Sequence, residues 1–202
     1  LEIIETRWSV WPTWESWTWP EFAGKEIQVE VYSKYPKVRL YLNDKMVGES
    51  ETSASTQFKA TFSAPYNSGQ LKAVGIENGK EAASKILKTA GKPAKIVLKA
   101  DRNSIKADGQ DLSYVTLEIV DEFGTVVPNS DLKVQFSSSG SGSIIGTDNA
   151  NIKDVNSYVS PARMTWKGKA LAILKSKRTK GEIILVASAD GLPTESLKIK
   201  TE

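Results

Sequence analysis

TRWSVWPTWESWTWPEFAGKEIQVEVYS, residues 6–33, joins two unlike halves, and the seam between them decides how the chain is read. From Lys25 onward, Ile27, Val29 and Val31 alternate with Glu26, Gln28 and Glu30, the period-2 pattern of a half-buried strand. Before it, Trp8, Trp11, Trp14, Trp17 and Trp19 crowd five of the six tryptophans into twelve residues. Their spacings of three, three, three and two fit no strand face, and Pro12 and Pro20 oppose a regular helix. This leader is therefore expected to be irregular and docked. A tryptophan offers a large rigid apolar surface with a single donor, so the cluster must be covered by its own domain, by a neighbouring domain or by a sugar ring.

Outward from this seam the strand pattern repeats. KVRLYLN places Val38, Leu40 and Leu42 on one face, Asn43-Asp44-Lys45 turns the chain, and TQFKATFS aligns Phe58, Ala60 and Phe62. Asn78-Gly79 is a type I′ hairpin signal between QLKAVGIE and EAASKILKTA. The stretch from Glu81 to Thr89 is the nearest approach to a helical stripe, yet its shortness after an Asn-Gly turn favours a strand. Gly91 and Pro93 interrupt the pattern, which places a domain boundary after Lys92. A second set follows: AKIVLKA, LSYVTLEIVD with Val115, Leu117 and Ile119, LKVQF, ARMTW, KALAILKS, GEIILVASA and SLKIKT. The run SSSGSGS from Ser137 is short and enclosed by strands, and reads as a loop or a glycine-relieved strand. The expectation is an all-β chain of two tandem immunoglobulin-like β-sandwich domains, residues 1–92 including the leader and residues 93–202. A (β/α)8 barrel is excluded by length and by the lack of alternating helices.

Composition narrows the chemistry. Neither Cys nor His occurs, which removes thiol nucleophiles, Ser-His-Asp triads and the usual zinc sites. Residues 1–92 hold 12 Lys/Arg against 11 Asp/Glu and residues 93–202 hold 15 against 13, so the net charge of +3 forms no basic face and nucleic acid is not an expected partner. No apolar run is long enough for a membrane span, and the start at Leu1 suggests a fragment.

The motifs resolve to turns. In Gly140-Ser-Gly-Ser-Ile-Ile-Gly146 the third glycine comes one residue too late for a dinucleotide fingerprint, and no P-loop occurs, so no cofactor is expected. Asp108-Gly109-Gln110-Asp111 and Asp148-Asn149-Ala150-Asn151 lack the EF-hand spacing and read as Asx turns rather than metal sites. Glu15 and Glu21 beside the tryptophans superficially match the two carboxylates of a glycosidase, but a proline-broken leader supplies no rigid frame to hold such a pair. No catalytic residue is assigned; Trp8, Trp11, Trp14, Trp17 and Trp19 stand as candidates for a domain interface or a carbohydrate platform.

The run PTWESWTWPEFAGKEIQVEVYSKYPKVRLYLNDKMVGE resembles the region just after the catalytic barrel in bacterial glycoside hydrolase family 2 enzymes of the β-galactosidase type, where a Trp-rich leader, a Gly-Lys, a V-x-V-Y strand and an L-x-L-N-G-K-x-x-G hairpin recur in that order. SGQLKAVGIENGKE is similar to later strands of that domain. TAGKPAKIVLKADRNSIKADGQDLSYVTLEIVDEFGTVVPNSDLKVQF is similar to the immunoglobulin-like C-terminal domain that follows it, and DNAN and SADGL fit the same pattern. Asp44 departs from the hairpin's usual Gly, and Lys34 stands where Asn is common. The resemblance implies non-catalytic C-terminal domains that pack on and support the parent's absent barrel, which holds the family's catalytic glutamates. It implies a periplasmic or extracellular setting. The rival expectations are a carbohydrate-binding module that takes glycans on the leader, and an adhesin-like spacer.

Overall fold

The computed structural model describes residues 13–202, all of which are strand, turn and loop apart from two three-residue 3-10 turns, Pro20–Phe22 and Ala54–Thr56. Trp8 and Trp11 lie outside the described residues. Among the described residues no helix is long and apolar enough to cross a membrane. The chain divides into two compact units between Thr89 and Ala90. That is three residues before the boundary read from the sequence, and the reason is hydrogen bonding. The Gly91 amide donates to the Asp121 carboxylate at 2.9 Å and the Ala94 amide to the Val120 carbonyl, so the Gly-Pro link is already tied to the second unit.

In the first unit, β1 (Glu26–Tyr32) pairs antiparallel with β4 (Lys59–Pro65) in a two-stranded sheet. β2 (Lys37–Leu42), β3 (Lys45–Glu51), β5 (Gln70–Glu77) and β6 (Lys80–Lys88) form a four-stranded sheet in the order β3-β2-β5-β6. Val38, Leu40, Leu42, Ala60, Phe62 and Leu71 turn inward and are buried, as the alternation predicts, with Ile27, Val29 and Val31 half-buried against them; Phe58, expected on the same face, precedes β4 in a left-handed turn and is exposed. β6 is different. Every residue of it except Leu87 is exposed, so this edge strand has both faces largely bare.

The second unit is larger. β7 (Lys95–Ala100), β9 (Leu112–Val120), β11 (Gly142–Asp148) and β13 (Lys169–Ser176) make one sheet, ordered β11-β13-β9-β7. Facing it are β8 (Ser104–Ile105), β10 (Lys133–Gly140), β12 (Ala162–Met164), β14 (Gly181–Ala189) and β15 (Glu195–Thr201), ordered β12-β10-β14-β15-β8, where the short β8 adds parallel to β15. The interdigitated core contains Val115, Leu117 and Ile119 from one sheet and Val134, Phe136, Ile183, Leu185 and Ile199 from the other, each 1% exposed or less. The Ser/Gly run is a glycine-relieved crossing: β10 ends at Gly140 in one sheet and β11 begins at Gly142 in the other. A Cβ on Gly142 would lie 2.2 Å from Ile183 Cδ1 and 2.6 Å from the Lys175 carbonyl, so only glycine lets the chain pass between the sheets there.

Candidate functional site

The described part of the leader, from Thr13 onward, lies on the first sandwich and carries three of the tryptophans. Trp17 is driven into the core, 1% exposed, its ring tilted 58° against Tyr66 at a centroid distance of 5.1 Å. Its indole donates to the Asn67 carbonyl at 3.0 Å, so the one polar atom of the side chain is satisfied on burial. The main chain is held as well. Thr89 Oγ1, at the end of the last strand, donates to the Trp17 carbonyl at 2.7 Å and accepts from the Gly69 amide. Trp19 is half-buried; its indole donates to the Ser16 carbonyl and its ring meets Phe22 edge-on at 6.5 Å. Pro20, at the start of the 3-10 turn, ends the leader and redirects the chain so that the Gly24 amide donates to the Tyr66 carbonyl.

The three described tryptophans thus have unlike places. Trp17 keeps no face for a sugar or a neighbouring domain. Trp14 is 40% exposed and is the described member of the cluster with the most open surface. Beside it, Glu15 forms a 2.6 Å ion pair with Lys85 of β6, both side chains about two-thirds exposed or more, a contact of little energetic weight. Glu21 is exposed on the 3-10 turn. Neither glutamate sits in an enclosed apolar pocket of the kind a glycosidase acid requires.

Several carboxylates of the second unit are committed to structure. Asp108 accepts the Gln110 and Asp111 amides, which hold its carboxyl below the ordinary range, and Asp148 accepts the Asn149 and Ala150 amides. Both segments read as Asx turns are such turns. Burial pushes the Asp121 carboxyl up, but amides of Gly91, Thr125 and Phe123 outweigh it and leave the group ionised more readily than usual. Glu118 behaves alike: burial raises it, and the ammonium groups of Lys99 at 2.6 Å and Lys169 at 3.0 Å bring it down. Among the described residues no group of three or more potential ligands converges on a metal position.

A site that the sequence reading passed over lies in the loop between β11 and β12. Arg163, an apparent surface residue in ARMTW, is 2% exposed. Its guanidinium donates to Asp154 Oδ2 at 3.0 Å, to the Thr147 carbonyl and the Ser157 carbonyl, each at 2.8 Å, and to Thr147 Oγ1 and the Asn156 carbonyl. Asn149 adds bonds to Asp154 and to the Met164 carbonyl. The Asn156 amide and then Arg163 pull the Asp154 carboxyl down to about 2. The available signal was the alternation itself, since Arg163 and Thr165 share the inward register of a strand whose neighbours Met164 and Ala162 face elsewhere. Around this polar centre the loop turns four apolar side chains outward: Ile152, Val155, Tyr158 and Val159.

Fold and site together define a pair of tandem β-sandwich modules whose described polar groups are largely spent on architecture. The profile of glycoside hydrolase family 2 C-terminal domain 5 matches residues 96–198, and that of a domain of unknown function, DUF4982, matches residues 24–83. The chain is 34% identical over 187 residues to the β-galactosidase BoGH2A of Bacteroides ovatus, covering 92% of itself and 22% of that protein. It is 31% identical over 189 residues to a β-galactosidase of Thermoanaerobacter pseudethanolicus, covering 85% of itself and 24% of that protein. The crystal structure of a glycosyl hydrolase family 2 member from Bacteroides cellulosilyticus superposes with a TM-score of 0.86 at 39% identity, across 93% of this chain and 24% of the other. The chain belongs to the C-terminal region of glycoside hydrolase family 2, and it spans about a quarter of the length of these relatives.

Proposed function

We propose that residues 1–202 are non-catalytic accessory domains of a β-galactosidase-type glycoside hydrolase, which pack on and support the catalytic barrel of the full polypeptide. The observation that carries this reading is the lopsided coverage: 92% of this chain aligns with only 22% of a β-galactosidase. The spent carboxylates agree with it, because hydrolysis of a glycosidic bond needs two carboxyl groups facing each other across a pocket. The Trp-rich leader is the natural seam, with Trp17 anchoring it to the first sandwich and Trp14 turned outward. Such an enzyme would work on glycans in the periplasm or outside the cell, which fractionation of the source cells checks directly.

The test is an assay of two proteins on nitrophenyl β-galactoside and β-glucuronide. The full-length polypeptide should hydrolyse at least one of them, and purified residues 1–202 should hydrolyse neither. Turnover by residues 1–202 alone would overturn the accessory role.

A further inference from the structure

Four of the five most exposed large apolar side chains among the described residues lie in one loop of the second sandwich; the fifth, Phe123, stands alone in another turn. Ile152 is 89% exposed, Val155 97%, Tyr158 65% and Val159 78%, all within eight residues. Isolated exposed apolar residues need no explanation, but four on one short loop are a concentration of the kind that marks an interaction surface. We propose that this loop, residues 150–161, docks onto an uncharged apolar surface in the part of the full polypeptide outside residues 1–202, an inference that rests on the accessory-domain reading.

Three observations point to that occupant. First, the loop is built rather than loose. Arg163 clamps it from beneath, the Thr147 amide donates to the Tyr158 carbonyl at 2.7 Å, Thr147 Oγ1 donates to the Ser160 carbonyl, and the Asp154 amide donates to the Asn151 carbonyl. The ordering entropy that would oppose docking has thus already been lost in folding. Second, the patch is electrically quiet. The Asp154 charge is turned inward onto Arg163, and Lys153 is the loop's one other charged residue, so the face suits a protein surface rather than a phosphate or an acidic glycan. Third, the patch is small. It exposes on the order of a few hundred Å², whereas a free partner or second copy needs about 800 Å² from each side for a stable complex. A tethered partner needs less, because the shared chain supplies a high effective concentration. The relatives carry further polypeptide in the same chain, since this region makes up 22% of BoGH2A and 24% of the Bacteroides cellulosilyticus protein.

Hydroxyl-radical footprinting of the full-length protein tests this, each residue's rate being normalised to that of the same residue in the urea-unfolded protein. Docking predicts that Ile152, Val155, Tyr158 and Val159 react about fivefold or more slowly than in the unfolded chain, as for side chains at an interface core, and that dilution does not change this. Rates near those of the unfolded chain would overturn the proposal. So would protection that disappears on dilution, which would indicate a second copy, or protection that appears only with added galactoside, which would indicate a glycan. The two readings fail separately: a protected loop in a protein without glycosidase activity keeps the docking and removes the enzyme, and an active enzyme with a fully reactive loop does the reverse.

Discussion

The two sandwiches solve the same packing problem with different resources. The second closes four strands over five, and its buried core of fifteen residues comes almost entirely from its own strands. The first closes two strands over four, which leaves the inner face near β6 short of a cover. An irregular segment makes up the deficit: Trp17 enters the core beside Tyr66, and its carbonyl is bound by Thr89 at the end of the sheet. A single side chain thus does for the first unit what an additional strand does for the second. The surplus runs the other way on the outside. The second unit holds a buried arginine whose role is to brace a loop that covers none of its own core.

The sharpest way to break this comparison is to remove the borrowed tryptophan. Trp17→Ala deletes the largest fully buried side chain of the first core and should cost that unit about 3–5 kcal/mol, the usual range for a buried Trp or Phe truncated to Ala. Urea unfolding followed by amide exchange, resolved by unit, should show the loss in residues 13–89 and leave residues 90–202 unchanged. A loss below about 1 kcal/mol would mean that the first sandwich is closed without its leader. Arg163→Met is the counterpart in the second unit. It keeps the volume and removes the six donated bonds, so we expect a loss of about 3 kcal/mol together with faster amide exchange confined to residues 147–163.

Acid should distinguish the units more gently. The folded-state pKa of Asp154 is depressed from 3.8 to about 2, so its stabilising contribution is fully present above about pH 4 and is lost as pH falls from 4 toward 2. Asp154→Asn should be less stable than the wild type at pH 7 yet lose less on going to pH 2.5. Urea midpoints of both proteins at the two pH values decide the matter, and equal drops would remove Asp154 from the acid response. Glu30 and Glu49 of the first unit are also lowered, Glu30 first by the Tyr32 hydroxyl and then by Lys59, Glu49 first by Lys37 and then by Arg39, so that unit has its own acid-sensitive pairs on an open surface.

How far the fold could be read in advance follows from which residues carry it. Strands were legible where inward and outward residues differ in polarity, as in LSYVTLEIVD and KVRLYLN, and the Asn78-Gly79 turn was legible because both residues adopt positive φ, 51° and 75°. The closing of the first sandwich by Trp17 rather than by Trp14 was not legible. Irregular backbone has no period, and only the placement of Tyr66 and Asn67 selects Trp17 over Trp14 and Trp19. Arg163 was hidden for a different reason: a charged residue reads as surface unless its partners are known, and Asp154, Ser157 and Thr147 come together only after the loop has folded back. Sequence patterns report burial of apolar groups well and burial of a satisfied cation poorly.

The smallest effects concern the β2–β3 hairpin at one edge of the first unit's four-stranded sheet. Asn43 and Asp44 link β2 to β3 with φ of 48° and 63°, so two L-residues occupy the left-handed region where a type I′ turn favours Asn followed by Gly. They should respond oppositely to substitution. Asn43 Oδ1 accepts the Gln70 amide at 2.8 Å and its amide nitrogen donates to the Ser68 carbonyl at 3.0 Å, which ties the turn to the start of β5, so Asn43→Ala should cost about 1–2 kcal/mol. Asp44→Gly removes backbone strain, offset by the greater freedom of glycine in the unfolded chain, and should leave a net gain of about 0.5 kcal/mol. Thermal unfolding of the two variants side by side measures both signs. An Asn43→Ala variant as stable as the wild type would remove the bridge to β5 as a stabilising contact of this corner of the smaller sandwich.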